Sequence, residues 1–377
     1  AQDEKQWQVS WEFRLTSPEM EPDAGAFRWM AGAYYLHEDY KGSQLYGQAS
    51  LPIGQFDSNS LDQTLNTYSV FGEVGYHLTP DIEVSGGLRY TIESKDGTAT
   101  IVSPTGAGLF GAPASVSASP AFHNLSPEFG LNWRVTPDAL VYGKVSRGFK
   151  GGGVSQFIEA DGSANVYDPE TDWSYEVGAK TSWLDGRLDL NLAAFAIDWQ
   201  NKHERVSVDA TIPTLRVIRN AASVSSYGFE MEAVGRVSEE LTLNASYGYL
   251  DATYEDFAVP AIGADYSGND VPYAPRHSVS AGANWTRELR NDLAFFADAT
   301  YSYRSSYTFD PEGAYRQKPT HIVNAALGLK GEHWSASIWA RNLTGEEYLT
   351  GYFRFSGEDY GVGAEGRTIG VTLKATW

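Results

Sequence analysis

A transmembrane antiparallel β-barrel is the all-β fold this sequence predicts. Three observations carry it: apolar and polar residues alternate with period two from end to end, the apolar faces often finish in Trp or Tyr, and short connections alternate with long ones. The first segment sets Trp7, Val9, Trp11, Phe13 and Leu15 against Gln8, Ser10, Glu12, Arg14 and Thr16. Further along, Leu241, Leu243, Ala245, Tyr247 and Tyr249 oppose Thr242, Asn244, Ser246 and Gly248. The pattern returns at Val279–Trp285 and Leu293–Tyr303. It closes with Ile369, Val371, Leu373, Ala375 and Trp377.

Alternation alone also fits a half-buried soluble sheet. The ends of the apolar faces, at Trp183, Trp285, Tyr301 and Tyr303, suit the aromatic girdles of a membrane interface. The polar faces carry Glu73, Glu83, Arg89, Arg134, Glu176, Lys180, Glu230, Glu232, Arg236, Asp298 and Lys374. In a wide barrel these would line a wet lumen, where neighbouring strands can pair opposite charges.

The connections separate the two readings. Short turns are expected at Ser17–Ala26, Thr79–Asp81, Thr136–Asp138, Asp185–Gly186, Ser238–Glu240, Glu288–Asp292 and Gly331–Glu332. Long polar segments lie between them, near His37–Gln63, Glu93–Pro120, Lys150–Pro169, His203–Pro213, Glu255–Val271, Ser306–Lys318 and Thr344–Gly366. Outer-membrane barrels sort their loops this way, short in the periplasm and long outside. About fifteen strands follow, from Trp7–Thr16 to Arg367–Trp377. By loop parity the first strand starts at the extracellular end and the last finishes at the periplasmic end. An odd number of upstream strands is therefore expected to be missing. The first and fifteenth strands would meet parallel, so an incomplete or gapped barrel is expected.

Composition narrows the function. The net charge is −20, from 28 basic and 48 acidic residues, which argues against phosphate-backbone binding. There is no cysteine, hence no disulfide framework or thiolate metal site. The seven His, including His37, His77, His123 and His277, lack metal-ligand spacing and read as isolated lumen or loop residues. No metal, cofactor or catalytic constellation is indicated, so the chain does not read as an enzyme. The run Lys150–Gly153 lacks the GK[ST] of a phosphate loop and reads as a flexible strand exit. Loop acidity suits a solvated surface that binds divalent cations among lipopolysaccharide. No initiating Met or signal sequence stands at Ala1, which reads as a mature end or a cut.

Several segments resemble TonB-dependent receptors of the ferric-siderophore branch, and together they cover nearly the whole chain. VYGKVSRGFKGGG (Val141–Gly153) resembles the family's strand-to-loop motif, and YEVGAKTSWLDGRLDLNLAAFAIDWQN (Tyr175–Asn201) its central hairpin. APRHSVSAGANW, ARNLTGEEY and GRTIGVTLKATW resemble its last strands in the proper order, with Trp377 as the terminal aromatic residue read by the barrel-assembly machinery. The resemblance implies a barrel of about 22 strands in the bacterial outer membrane. Residues 1–377 would then be its N-terminally incomplete C-terminal portion. Roughly the first seven strands, the plug domain and the TonB box would be absent.

It also implies nutrient uptake, with a ferric siderophore as first choice. Alternatives are an oligosaccharide, cobalamin or an aromatic compound, or a plug-less passive pore or engineered barrel fragment. The expected partners are outer-membrane lipid and lipopolysaccharide, the nutrient ligand, and TonB through the N-terminal region. Ligand-binding candidates are Arg147, Phe149, Lys150 and Phe157 in one loop, and Tyr307, Phe309, Tyr315 and Arg316 in a second. Tyr352, Phe353, Arg354, Phe355 and Tyr360 belong to the last loop. Aromatic faces and guanidinium groups suit aryl-bearing, anionic ferric chelates.

Overall fold

The computed structural model describes residues 2–18, 23–46, 56–104, 112–207, 216–290, 292–355 and 358–375, with the main chain alone for 46 and 353–355. Fifteen long strands form a wall. They are β1 (Gln2–Thr16), β2 (Phe27–Tyr46), β3 (Asp57–Thr79), β4 (Ile82–Val102), β5 (Ala121–Thr136), β6 (Ala139–Lys150), β7 (Glu170–Trp183) and β8 (Leu188–Ser207). The rest are β9 (Arg216–Arg236), β10 (Leu241–Val259), β11 (His277–Arg290), β12 (Leu293–Arg304), β13 (Thr320–Gly331), β14 (Trp334–Arg341) and β15 (Thr368–Ala375). Each pairs antiparallel with the next. Ala114–Ala118 on β4 and Ala264–Asp265 on β10 complete a 17-stranded sheet. No pairing joins β1 to β15 among the described residues, so the sheet is open.

The pleat sorts the side chains as the alternation requires. Trp11, Phe13, Phe129, Trp183, Val371 and Leu373 lie on the outward face and are exposed; Trp11 is 75% accessible. Such a surface suits lipid and not water. Inward residues pair across strands. Arg28 of β2 binds Glu73 of β3 at 2.9 Å and also Glu83 of β4. Lys144 meets Glu128 at 2.8 Å, and the Tyr142 hydroxyl donates to Glu176 at 2.7 Å. At the short-turn end, Leu184 and Asp185 take φ of 58° and 56°, followed by Gly186 at 79°. Only a tight left-handed turn closes β7 onto β8 so abruptly.

Six of the seven connections expected to be short are short; the first, residues 17–26, is as long as the connection 47–56 at the other end. The long ones are shorter than the sequence suggests, because strand structure enters the segments read as loops: β2 reaches Tyr46, β4 Val102, β8 Ser207 and β10 Val259. At about 3.4 Å per residue the 23 residues of β3 span nearly 80 Å, against the roughly 10 residues that cross lipid. The wall therefore stands well above the membrane as a polar rampart. Polarity marked these residues as loop, but backbone pairing between neighbouring strands continues without an apolar face.

A second correction concerns histidine. His37, His123 and His277 are neither isolated nor in the lumen. They lie on the outward face at the extracellular edge of the apolar band, where Tyr90 bonds His123 and Tyr247 bonds His277, each at 2.8 Å. Tyr301 and His321 repeat the pair at 2.8 Å. His37 contacts Asn66 at 2.9 Å and the edge of Trp7.

Candidate ligand-binding site

Beyond the membrane band, the extracellular end divides into two blocks. The first is built on the segment after β6. A hairpin, Gly153–Ile158 against Ala164–Tyr167, folds over the inward face of β4. A Cβ on Gly97 would stand 2.8 Å from that of Val154, and one on Gly152 would stand 2.3 Å from the Tyr167 carbonyl oxygen. These glycines permit close packing. The run Lys150–Gly153 is thus a packed corner, not the flexible exit its composition suggested.

The hairpin closes a dry core of Ala99, Ile101, Phe157, Ile158, Val217, Val224, Tyr254 and Phe257. Phe157 is 5% exposed, with the Arg205 guanidinium 4.7 Å from its ring centre, so it serves the core and offers no face to a ligand.

Polar clamps fix the hairpin to β9. The buried Asn165 amide donates to the Ile218 carbonyl at 3.0 Å and accepts its N–H at 2.9 Å. Asn220 does the same for the Asp168 backbone, at 2.7 and 2.8 Å. Each side chain substitutes for a missing sheet neighbour. The Arg219 guanidinium grips both oxygens of Glu159, which raises its own pKa.

Arg147 and Phe149 lie within β6, not in a loop. Arg147 donates to the Asn124 side chain at 2.8 Å and the Leu125 carbonyl at 2.6 Å. Lys150, the last residue of β6, keeps a 3.0 Å bond to the 2%-exposed Glu170, which also accepts from the His203 backbone at 2.7 Å and ring at 2.9 Å. Burial alone would raise the Glu170 pKa; the His203 and Lys150 bonds prevail and pull it down to about 2.

The second block joins the last three extracellular connections around aromatic rings. Asp310 starts a turn that Gly313 completes at φ 69°, and its carboxylate accepts the Ala314 and Tyr315 N–H groups at 3.1 Å each. Tyr315 is thereby placed to stack on Tyr352, with ring centres 3.7 Å apart. Both hydroxyls donate to one carboxylate, Tyr315 to Asp359 at 2.8 Å and Tyr352 at 2.6 Å. Burial, then the bonds to Asp359 and Tyr315, raise the Tyr352 pKa. Phe309 packs beneath, buried, against Tyr273, Tyr307 and Tyr352.

Cross-links bind the connections together. Tyr266 donates to Glu312 at 3.1 Å, Asn269 to the Pro311 carbonyl at 2.8 Å, and Arg316 to Asp270 at 3.4 Å. Burial and Glu312 push the Tyr266 pKa up to about 12.

The structure thus gathers Tyr307, Phe309, Tyr315, Arg316 and Tyr352 and sets them apart from Arg147, Phe149 and Lys150. Tyr360 is exposed on the short strand Glu358–Gly363, which also carries Asp359. The side chains of Phe353, Arg354 and Phe355 lie outside the described residues. Sequence reading missed Tyr273 and Asp359. Tyr273 holds φ at 61°, unusual for an aromatic residue, and its N–H donates to the Thr308 carbonyl at 2.8 Å. No group of three His, Cys, Asp or Glu poised for a metal ion occurs among the described residues.

An open meander with an apolar outer face, a charged inner face and loops sorted by end defines an outer-membrane β-barrel. The family model described as TonB dependent receptor-like, beta-barrel matches residues 2–343, and the chain belongs to that family. Membership places it in the outer membrane of Gram-negative bacteria, among receptor barrels and not among enzymes. The metal-pseudopaline receptor CntO of Pseudomonas aeruginosa is 28% identical over 214 residues, covering 55% of this chain and 27% of that protein. The pesticin receptor of Yersinia pestis is 22% identical over 93% of this chain and 49% of its own length. The chain thus spans half or less of the curated relatives it matches. Among solved structures, the ferric yersiniabactin uptake receptor FyuA from Yersinia pestis superposes with a TM-score of 0.86 at 19% identity, over 99% of this chain and 54% of that one. The siderophore receptor PiuA from Acinetobacter baumannii gives 0.71 at 18%, over 99% of this chain and 55% of that one.

Proposed function

We propose that the chain is the C-terminal portion of a TonB-dependent transporter that captures a ferric siderophore at its extracellular end. The observation that carries this is the Tyr315–Tyr352–Asp359 group. Three sequence-distant connections converge to hold two stacked phenol rings half-exposed, a surface suited to an aryl-bearing chelate. Relatives named as receptors for metal-pseudopaline and ferric yersiniabactin support the class.

The open edges of β1 and β15 support a longer barrel, since unpaired backbone groups are costly in lipid. Both strands run in the same direction, so antiparallel closure needs an odd number of further strands. The plug, the TonB box and contact with TonB would belong to that upstream part, and lipopolysaccharide would surround the wall. Uptake of radiolabelled iron from a panel of aryl and hydroxamate ferric chelates tests the proposal, in cells with and without the gene and with and without TonB. Gene- and TonB-dependent uptake of an aryl chelate is expected. Uptake unaffected by loss of the gene contradicts it.

A further inference from the structure

Trp339 breaks the rule that sorts side chains across the wall. Ile338 beside it is exposed on the outward face, so the Trp339 indole stands on the inward, polar face of β14. Gly370, directly opposite on β15, lets the ring lie against the sheet: a Cβ there would stand 2.3 Å from indole Cζ2. The Trp339 Nε1–H donates to the Thr372 hydroxyl at 3.0 Å, which fixes the ring. The Arg341 guanidinium stacks over it, 5.3 Å from the ring centre.

Between this pair and β12 lies a pocket of about 380 Å³ on the inward face. Ala326 of β13, directly across from both Asp298 and Trp339, is its floor, and Asp298, Thr300 and Asn324 close the far side. Bonds within the wall hold these groups in place. Asn284 donates to one Asp298 oxygen at 2.6 Å. Asn324 donates to Thr300 at 3.2 Å and accepts the Asn342 N–H at 2.9 Å. Elsewhere on the inward face opposite charges meet, as Arg28 meets Glu73 and Lys144 meets Glu128. Here they do not: among the described residues neither Asp298 nor Arg341 has an ion-pair partner. Two strand spacings, about 10 Å, part their backbones across β13.

We infer that this pocket binds a small zwitterion of the amino-acid class, with its carboxylate on Arg341, its ammonium on Asp298 and its apolar part against Ala326 and the indole. The two unpaired charges select the occupant. A simple anion would gain Arg341 but meet Asp298, and a simple cation would meet the reverse. A molecule that carries both signs on neighbouring atoms satisfies both at once. Because Trp339, Arg341 and Asp298 are already held in place, little ordering cost remains to be met on binding. The pocket belongs to the strands, whereas the Tyr315–Tyr352 stack belongs to the connections, so the inference is independent of the chelate proposed there.

Equilibrium binding of radiolabelled leucine to the full-length receptor in mild detergent tests it, with leucinamide and N-acetyl-leucine as competitors that each keep one charge. Saturable leucine binding is expected, and each competitor should be at least about tenfold weaker, the scale of one lost charge-assisted bond. Arg341→Gln should weaken leucine about tenfold and bring it level with leucinamide, which a merely structural role would not do. Asp298→Asn, which keeps the oxygen that Asn284 bonds, should bring leucine level with N-acetyl-leucine. Tyr315→Ala should leave leucine binding within about twofold, which separates this site from the chelate site. The inference is overturned if leucine shows no saturable binding, if both analogues compete as well as leucine, or if Arg341→Gln leaves leucine's lead over leucinamide intact.

Discussion

The two extracellular blocks solve the same problem, ordering polar chain above a membrane, with opposite chemistry. The hairpin block excludes water: Phe157, Ile158, Val217, Val224, Tyr254 and Phe257 make an aliphatic and aromatic core. Asn165 and Asn220 then satisfy the backbone that this core would otherwise strand. The aromatic block is held by hydroxyl-to-carboxylate bonds and ring stacking, and most of its rings stay partly open. A dry segment whose rings are buried in its own core has little aromatic face left to offer a ligand. A half-exposed stack tied by a single carboxylate can exchange that partner for another. Under the proposed function, scaffolding falls to the first block and recognition to the second.

The contrast can be broken most forcefully at the scaffold. Phe157→Ala should destabilise the hairpin block by about 3–5 kcal/mol, as for other buried aromatic truncations. Hydrogen exchange should quicken at 153–167 and along the extension of β9, while 305–319 stays protected. Equal loosening in both blocks would mean they are one unit. Asn165→Ala should follow at roughly 1–3 kcal/mol, because it removes the partner of the Ile218 N–H and leaves the Ile218 carbonyl only the 3.4 Å bond from Arg219. Asn165→Asp should restore only the accepting half.

Acid offers a smaller and selective perturbation. Glu170 sits at about 2 in the fold against an ordinary value of 4.5. Its contribution is therefore complete above pH 4.5 and drains away as pH falls toward 2. Exchange at 153–167 should rise across that window, and Glu170→Gln should flatten the rise. A profile unchanged by Glu170→Gln would remove this carboxylate from the clamp. The smallest effect is expected at Lys150→Gln. With a lysine side chain 67% exposed, its ion pair should contribute no more than about 1 kcal/mol to thermal stability.

The wall was legible because two local rules, pleat parity and loop sorting, act at every strand. Trp7 to Leu15 and Ile369 to Leu373 announce the lipid face residue by residue. The rampart above the membrane was not legible. β4 from Glu93 to Val102 pairs through its backbone, which leaves no apolar trace in Ser94, Lys95, Asp96 and Gly97. The blocks were legible only in part. Tyr307, Tyr315 and Tyr352 stood out as loop aromatics, but so did Phe157, and composition cannot tell a ring that packs from one that waits. The partners that separate them, Ile218 for the hairpin and Asp359 for the stack, are each more than 40 positions away from Asn165 and Tyr315 respectively. The Tyr–His pairs were missed for a related reason: cross-strand diagonals leave no spacing in the chain.

The central claim is that recognition resides in the aromatic block and not in the hairpin block. Binding of an aryl ferric chelate to the full-length receptor, followed by quenching of intrinsic fluorescence, tests it directly. The double variant Tyr315→Ala, Tyr352→Ala should weaken binding at least about tenfold, the scale of a lost aromatic anchor. Lys150→Gln in the other block should leave the affinity within about twofold. An unaltered affinity in the double variant, or a larger loss in Lys150→Gln, would contradict the account.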